Sequence, residues 1–291
     1  MALTLSPTLS LRKAPSISDE EFRKLRDFIY SKCGIFVDDK RKYLFETRFG
    51  PRLNALGAKS FSEYFQILTL SPDKDKELAS LFEMVTTNET SLYRDTKQLD
   101  GVRASILSKI IKEQRAKGKF ELSVWSAGCS SGEEPYTLSI LLHEELGPEL
   151  RKWRIAITGV DLSPAMVAKA KAGVYQEYAF KTTPEDIKKK YFTPVVGGLK
   201  VTDSVASLTC FQSMNLNDAA ATKRIPKSHL VFCRNVIIYF DEAMKKKVVS
   251  SFYDNLLPGG VLILGHSETL HKISAAFKPM MLPGAMAYEK I

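Results

Sequence analysis

The sequence predicts an α/β protein in which an all-helical N-terminal domain precedes a Rossmann-like sheet with a small antiparallel β insert. Three observations predict this architecture. Apolar residues recur at helical spacing through roughly the first 90 residues, whereas beyond Gly118 short β-type runs alternate with helical segments. A glycine-rich turn containing Gly128 and Gly132 then joins the first strand to a helix, as in nucleotide-type cofactor sites. At 291 residues and 44% hydrophobic, the chain can form one large core and a smaller domain.

Four helices are predicted before the sheet. The first begins at Ser18, which forms a capping-box pattern with Glu21, and ends at Gly34. Its expected buried face comprises Phe22, Leu25 and Ile29. The other three are expected at about 39–56, from Ser60 with Glu63 as its capping partner, and at about 74–85. The second of them is rich in basic residues: Lys40, Arg41, Lys42, Arg48 and Arg52, with Lys59 just beyond.

A polar segment interrupts the helical period after these helices. It reads TTNETSLYRD from Thr86 to Asp95, and a long helix is expected to follow it from Thr96 to Lys117. We therefore expect a flexible tail over 1–17, an all-helical domain over 18–86, a linker with the long helix over 87–118 and a sheet domain over 119–291.

The alternation beyond Gly118 is typical of a mostly parallel sheet that helices cover on both faces. Its strands are expected at 121–126, 154–160, 229–233, 260–265 and 285–290. The insert, at about 184–212, should hold a helix over 184–191, a hairpin turning at Gly197-Gly198 and a third strand over 206–211.

The composition restricts the kind of protein further. No run of about eighteen apolar residues exists and the start lacks a secretory pattern, so we expect a soluble, cytoplasmic protein without membrane insertion. The four cysteines are scattered without a C-x-x-C pair, which argues against a zinc site and for a reducing compartment. The net charge of +9 admits an acidic partner, whether nucleic acid, a membrane surface or a protein.

The glycine-rich turn lies in the most informative motif, WSAGCSSGEEPY from Trp125 to Tyr136. Glu133 and Glu134 stand where the following helix begins, and there they would repel the phosphates of a dinucleotide. A cofactor with an adenosine end and a cationic end fits better. The motif therefore favours S-adenosylmethionine, whose sulfonium and ammonium groups are positive.

Residues that follow the later strands are the other candidates for cofactor contact, because ligands of open α/β sheets bind at the carboxyl ends of the strands. Asp161 can accept hydrogen bonds from ribose hydroxyls; the alternative, a helix N-cap, is already supplied by Ser163. Asn215 and Leu216 could hold an adenine, although on the sequence alone an ordinary loop asparagine is the better explanation of Asn215.

In the segment FCRNVIIYF, Phe232 to Phe240, Arg234 and Asn235 follow a hydrophobic strand at the point where the reactive end of the cofactor would lie. Arg234 and Asn235 suit contact with the cofactor or the substrate. The alternative for Arg234 is a structural hydrogen bond to a loop carbonyl. Tyr239 could face the methyl group or belong to the core. The Asn-Pro-Pro-aromatic sequence of many amino methyltransferases is absent, and cationic Arg234 suits an anionic nucleophile such as a carboxylate.

With these motifs in place, the chain resembles chemoreceptor glutamate O-methyltransferases of the CheR type, from about Ser18 to its last residue. The resemblance rests on TTNETSLYRD, SAGCSSGEEPY, GVDLSP, FCRNVIIYF and LPGGVLILGHSE in this order. It implies a class I S-adenosylmethionine-dependent methyltransferase that esterifies receptor glutamates and releases S-adenosylhomocysteine. It implies that the cofactor contacts are Asn88, Thr90, Arg94, Glu133, Asp161, Asn215, Leu216, Arg234 and Asn235. It also places Arg94 and Tyr239 beside the transferred methyl group as the catalytic pair.

The resemblance gives the basic second helix a role as well. Lys42, Arg48, Arg52 and Lys59 would face the acidic methylation helices of the chemoreceptor cytoplasmic bundle, although a solvated charged face is the alternative. The short connection TPVVGGLKV in the insert predicts that a C-terminal receptor peptide does not tether there. We expect a monomer that uses no metal and binds no nucleic acid. Methylation of another carboxylate or protein substrate, or a non-catalytic cofactor-binding scaffold, are the competing functions.

Overall fold

The computed structural model describes residues 15–283 and 285–291. Most of the predicted tail, 1–14, and Gly284 lie outside the described residues. The chain divides into two compact units. The first contains the described residues up to Ser31 together with Phe36–Val85, and the second contains Lys32–Ile35 together with Thr86–Ile291.

The helices of the first unit form where the sequence predicts them. They are α1 (Asp19–Cys33), α2 (Tyr43–Leu56), α3 (Phe61–Leu70) and α4 (Lys74–Val85), with a short 3₁₀ turn at Asp39–Arg41. The first capping box is complete, because the Glu21 N–H donates to Ser18 Oγ (3.2 Å) and the Ser18 N–H donates to Glu21 Oε2 (3.0 Å). The second is half formed: Ser60 Oγ caps α3, but the Glu63 carboxylate accepts from the Lys59 N–H instead.

Aromatic side chains fill the core of this unit. Phe22, Leu25 and Ile29 are buried as predicted. Phe22 packs edge-on against Phe45 with ring centroids 4.9 Å apart, and Phe45 packs against Phe49 at 5.0 Å. Burial of such rings is the main stabilising term for a domain of this size.

Two of the predicted docking residues are engaged inside this unit. The Arg52 guanidinium donates to both oxygens of Glu77 (Nε–Oε1 3.0 Å), and the Glu77 side chain is only 4% exposed. Tyr64 Oη donates to the same carboxylate at 2.9 Å. Arg48 Nη1 donates to the carbonyl oxygens of Met84 and Val85.

The remaining two docking candidates differ from each other. Lys42 pairs with Asp19 at 2.6 Å, and Lys59 is exposed. The four residues therefore differ in their contacts within this unit, and their docking to a receptor stays a prediction. Arg48 and Arg52 are tied to α4 because a buried carboxylate and the carbonyls at a helix end need donors.

The second unit is built on a seven-stranded sheet. Its strands are β1 (Glu121–Ala127), β2 (Arg154–Asp161), β6 (Thr209–Ser213), β7 (Ser228–Cys233), β8 (Leu256–Leu264), β9 (Phe277–Leu282) and β10 (Ala285–Lys290). Their spatial order is β6-β2-β1-β7-β8-β10-β9. β10 runs in the opposite direction to the other six strands. The order reverses between β1 and β7, which opens a crevice at the carboxyl ends of these two strands.

Helices flank the strands. The predicted long helix is α5 (Thr96–Gly101) and α6 (Ser108–Ala116), joined by a π-helical segment, Val102–Leu107. The others are α7 (Glu133–Leu146), α8 (Pro164–Ala172), α9 (Glu185–Tyr191), α10 (Asp203–Ala206), α11 (Ala219–Thr222) and α12 (Glu242–Asn255). In the ranges 15–283 and 285–291, no helix has the length and apolar composition needed to cross a membrane.

The small sheet of the insert differs from the prediction in one strand. It consists of β3 (Val174–Tyr175), β4 (Phe192–Val195) and β5 (Gly198–Val201), in the order β3-β5-β4. The predicted hairpin is β4-β5. The strand expected over 206–211 is instead β6, which pairs parallel with β2 in the large sheet, so its assignment to the insert is wrong. Two-residue β3 carries no periodic pattern, and β9, also missed, contains Pro279, which sequence rules place at sheet edges.

The Arg52–Glu77 pair gives a stability prediction. Arg52→Ala should lower the free energy of unfolding by about 1–3 kcal/mol, because it leaves a buried carboxylate without its cation. Lys59→Ala, which removes an exposed cation from the same unit, should change that free energy by less than about 0.5 kcal/mol. Urea denaturation followed by circular dichroism measures both, and equal effects would show that the Arg52–Glu77 pair contributes nothing.

Candidate cofactor and active site

A deep cavity opens at the carboxyl ends of the strands in the second unit. It has about 1000 Å³ of empty space, including its mouth, which suits a nucleoside-sized ligand. The predicted site residues that line it are Asn88, Thr90, Arg94, Asp161, Asn215, Leu216, Arg234, Asn235 and Tyr239. The structure therefore brings residues from four separate sequence motifs to one cavity, while their individual roles remain predictions.

Glycines shape the first loop of this cavity. Gly128 and Gly132 have φ angles of +78° and +92°, a region that other residues rarely adopt. A Cβ at Gly128 would lie 2.4 Å from Val236 Cγ2, and one at Gly132 would lie 2.8 Å from Ala170 Cβ. Glycine is therefore needed at both positions for two reasons: the backbone is left-handed, and Val236 and Ala170 leave no room for a side chain.

The two glutamates after this loop have different surroundings. Glu133 is 4% exposed, accepts a hydrogen bond from Ser131 Oγ at 2.9 Å and does not line the cavity. Burial raises its pKa to about 7, and the hydrogen bonds at its own backbone and from Ser131 only partly offset this. Glu134 lines the cavity and accepts from Ser126 Oγ at 2.8 Å. The cavity wall therefore includes Glu134 and not Glu133, and the predicted contact of Glu133 with the cofactor stays a prediction.

Arg234 is a buried cation beside Glu134. Its side chain is 5% exposed, and its Nη1 lies 3.4 Å from Glu134 Oε2, a long hydrogen bond within ion-pair range. Burial raises the pKa of Glu134, and the positive charge of Arg234 is the largest influence opposing that rise. Arg234 Nη2 also donates to the Arg94 carbonyl oxygen at 2.6 Å. One guanidinium thus connects the end of β7, the start of α7 and the linker.

Asp161 ends β2 and holds the glycine loop. Its Oδ2 accepts from the Ser130 N–H at 2.7 Å and its Oδ1 from the Ser163 N–H at 2.9 Å. Burial raises its pKa, against the effect of these backbone hydrogen bonds. Ser163 Oγ accepts from the Met166 N–H, so Ser163 is the N-cap of α8 as expected. Each carboxylate oxygen keeps a second lone pair, and contact with ribose hydroxyls stays a prediction.

The polar linker is fixed to the rest of the second unit. The Leu92 N–H donates to the Ala179 carbonyl (2.9 Å), and Thr182 Oγ1 donates to the Leu92 carbonyl (2.8 Å). The Tyr93 N–H donates to Thr137 Oγ1 on α7 at 3.0 Å. Arg94 Nη1 reaches the Glu89 carbonyl at 2.8 Å, so the linker curls around its own arginine. These contacts place Arg94 at the cavity wall.

Cys33 and Ile35 also line the cavity, and sequence reasoning missed both. Asn215 Nδ2 donates to the Lys32 carbonyl, and Ile35 forms a β-bridge with Phe240. Gly34 lies between them with φ +74°, and a Cβ there would meet Met244 Sδ at 2.6 Å. The glycine that predicted the end of α1 was thus the available signal, but nothing in the sequence shows that it packs on α12.

Two buried polar atoms on the cavity wall indicate what ligand the cavity fits. Arg234 Nε and Ser130 Oγ have no hydrogen-bond partner within the described part of the chain. Such atoms are costly unless a ligand or water satisfies them. A ligand that carries both charge signs and ribose hydroxyls matches Glu134, Arg234 and Asp161. Over the residues that the structure describes, no group of three or more His, Cys, Asp or Glu side chains could hold a metal ion.

The order of the sheet and the placement of this cavity define a class I S-adenosylmethionine-dependent methyltransferase. Comparison with known proteins agrees. The family model "CheR methyltransferase, SAM binding domain" matches residues 88–285, and "CheR methyltransferase, all-alpha domain" matches residues 20–86. The chain therefore belongs to the CheR methyltransferase family, and S-adenosylmethionine is its cofactor.

Individual relatives extend over most of the chain. Chemotaxis protein methyltransferase 2 of Vibrio cholerae is 32% identical over 275 residues, 94% of each protein. The chemotaxis protein methyltransferase of Borreliella burgdorferi is 32% identical over 88% of this chain and 90% of its own. Chemotaxis protein methyltransferase 1 of Pseudomonas aeruginosa is 31% identical over 94% of this chain and 98% of its own.

The raised pKa of Glu133 predicts a pH-dependent stability. Between about 4.5 and about 7 the folded protein keeps a proton that the unfolded chain releases, so this stabilising contribution is complete below 4.5 and is lost as the pH rises through 7. Glu133→Gln has no such loss. Its free energy of unfolding relative to wild type should rise from pH 5 to pH 8 by up to about 3 kcal/mol. Urea denaturation at both pH values measures it, and an unchanged difference, as expected for exposed Glu185→Gln, would contradict it.

Glu134 and Glu133 make a matched pair for testing which glutamate contacts the cofactor. Glu134→Gln should weaken S-adenosylhomocysteine binding roughly 10- to 100-fold, because it removes a buried carboxylate from the cavity wall. Glu133→Gln should leave the affinity within about twofold of wild type, because Glu133 does not line the cavity. Isothermal titration calorimetry decides the question, and the reverse ranking would restore Glu133 as the contact.

Proposed function

We propose that this methyltransferase transfers the methyl group of S-adenosylmethionine to glutamate side chains of chemoreceptor cytoplasmic regions, forming methyl esters and releasing S-adenosylhomocysteine. The observation that carries the proposal is that Arg94 and Tyr239 line the same cavity as the cofactor residues. A cation and a phenol at that wall suit a carboxylate that enters from solvent. The names of the relatives above support a chemoreceptor as the protein that carries this carboxylate.

The chemistry asks little of the protein beyond alignment. The bound cofactor supplies an electrophilic methyl group on a sulfonium. A glutamate with a pKa of about 4.3 is ionised at neutral pH, so no general base is needed. Holding two reactants in line can lower a barrier by about 7–11 kcal/mol. In this proposal Arg94 and Tyr239 orient the carboxylate, and Arg94 must not bind it so tightly that the ground state gains as much as the transition state.

The remaining cavity residues would each contact a different part of the cofactor. In this proposal Glu134 and Arg234 hold the ammonium and carboxylate of its methionine end. Asp161 would accept from the ribose, and Asn215 and Leu216 would contact the adenine. Asn88, Thr90 and Asn235 complete the wall that encloses the cofactor.

The all-helical domain is the proposed receptor-docking domain. Since Arg48 and Arg52 are engaged within it, we propose that exposed cations such as Lys59, Lys40 and Arg41 meet the acidic methylation helices. The enzyme would work in the cytoplasm as a monomer. The β4-β5 turn of the insert, Val196-Gly197, is short, and we propose that no receptor-tail peptide binds there with micromolar affinity.

Transfer of radiolabelled methyl groups to a purified chemoreceptor cytoplasmic fragment tests the proposed function. We expect incorporation that is released as methanol at alkaline pH, because glutamate methyl esters hydrolyse in base. Replacement of the receptor's methylatable glutamates by alanine should abolish the incorporation. A base-stable product, or none despite tight S-adenosylhomocysteine binding, would overturn the proposed function without touching the cofactor assignment.

Arg94 is the sharpest single test of the active-site assignment. Arg94→Ala should lower the rate of receptor methylation roughly 100-fold, because the carboxylate loses a preorganised donor beside the reacting methyl. Arg94→Lys should recover only part of this, since an ammonium lacks the planar fork of a guanidinium. Arg115→Ala, which breaks an exposed ion pair with Glu149, serves as control. A rate for Arg94→Ala within threefold of wild type would refute its assigned role.

A further inference from the structure

Glu268 makes an unusual set of contacts behind the cavity. Its Oε2 accepts from the Gly265 N–H at 2.7 Å and from the Asn235 N–H at 2.8 Å. Its Oε1 accepts from the Val236 N–H at 3.0 Å and from the Ile238 N–H at 3.2 Å. One carboxylate thus receives four backbone N–H groups, three of them from the segment that carries the cofactor residues after β7.

That segment needs external support. Asn235 has φ +59°, a left-handed conformation that is costly for a residue with a side chain. A Cβ at Gly265 would lie 2.7 Å from Glu268 Oε2 and 2.8 Å from the Asn235 nitrogen, so glycine is required for the ends of β7 and β8 to approach so closely. A carboxylate that accepts several N–H groups offsets such strain, because charged hydrogen bonds are the strong ones.

We propose that Glu268 is a positioning residue that holds the 234–240 segment in its binding geometry. Glu268 itself does not line the cavity, whereas Arg234, Asn235, Val236 and Tyr239 do. It therefore acts through these residues: by fixing the N–H groups of Asn235, Val236 and Ile238, it sets where the Arg234 guanidinium and the Tyr239 ring point. Glu268 is the last residue of the motif LPGGVLILGHSE. The four backbone contacts explain why a carboxylate is needed at this position.

Hydrogen exchange and cofactor binding together test the proposal. In cofactor-free Glu268→Ala, the amides of Asn235, Val236, Ile238 and Gly265 should exchange at least about tenfold faster than in wild type, while amides within β1 and β2 stay unchanged. The dissociation constant for S-adenosylhomocysteine should rise at least about tenfold. Glu268→Gln should lie between, because its single carbonyl oxygen can still accept from two of the four donors.

Controls separate positioning from simple stabilisation. Glu242→Gln, the same change in an exposed pair with Lys246 on α12, should alter neither readout. Measurements are made at a temperature where circular dichroism shows each variant folded, and Glu268→Gln alone decides if the alanine variant does not fold. Wild-type affinity in a folded variant, or exchange that accelerates equally throughout the sheet, would overturn the proposal. Since S-adenosylhomocysteine binding involves no receptor, either result leaves the proposed substrate untouched.

Discussion

The site depends on a buried guanidinium. Arg234 follows the end of β7, and its two Nη atoms contact the Glu134 carboxylate and the Arg94 carbonyl oxygen. A cation in this position would be prohibitively costly without such partners, so the linker and the start of α7 must stay against it. The same interactions hold Arg94, Glu134 and Arg234 together in the wall of one cavity. Stability and cofactor geometry are therefore coupled through a single side chain.

Carboxylates accept hydrogen bonds from loop backbone N–H groups on each side of that cavity. Asp161 holds the glycine loop through Ser130, and Glu268 holds the segment after β7 through Asn235. Each loop contains a non-glycine residue with positive φ, Ser130 at +50° and Asn235 at +59°, and the N–H group of each donates to one of these carboxylates. Acidic side chains thus preorganise the loops before any ligand binds, which is how a site avoids the cost of ordering itself on binding.

Much of this was predictable, and the failures have physical causes. Periodicity located α4 and the parallel strands because long amphipathic or apolar segments carry strong signals, whereas two-residue β3 carries none. The motif from Trp125 to Tyr136 predicted the turn and the cofactor. The resemblance selected Glu133, whereas Glu134 lines the cavity. Adjacent residues of a helix point about 100° apart, and only the packing shows which of them lies in the cavity wall. Pairing of Arg52 with Glu77 is a long-range contact that charge counting cannot show.

The coupling of Arg234 to Glu134 is the central claim, and a double-mutant cycle measures it most directly. Arg234→Met, Glu134→Gln and the double variant would be compared in their free energy of unfolding and in their affinity for S-adenosylhomocysteine. If Arg234 and Glu134 are coupled, each single variant should lose both stability and affinity. The loss in the double variant should be clearly less than the sum of the losses in the two single variants. Strictly additive losses would show that Arg234 and Glu134 act independently and would contradict this account of the site.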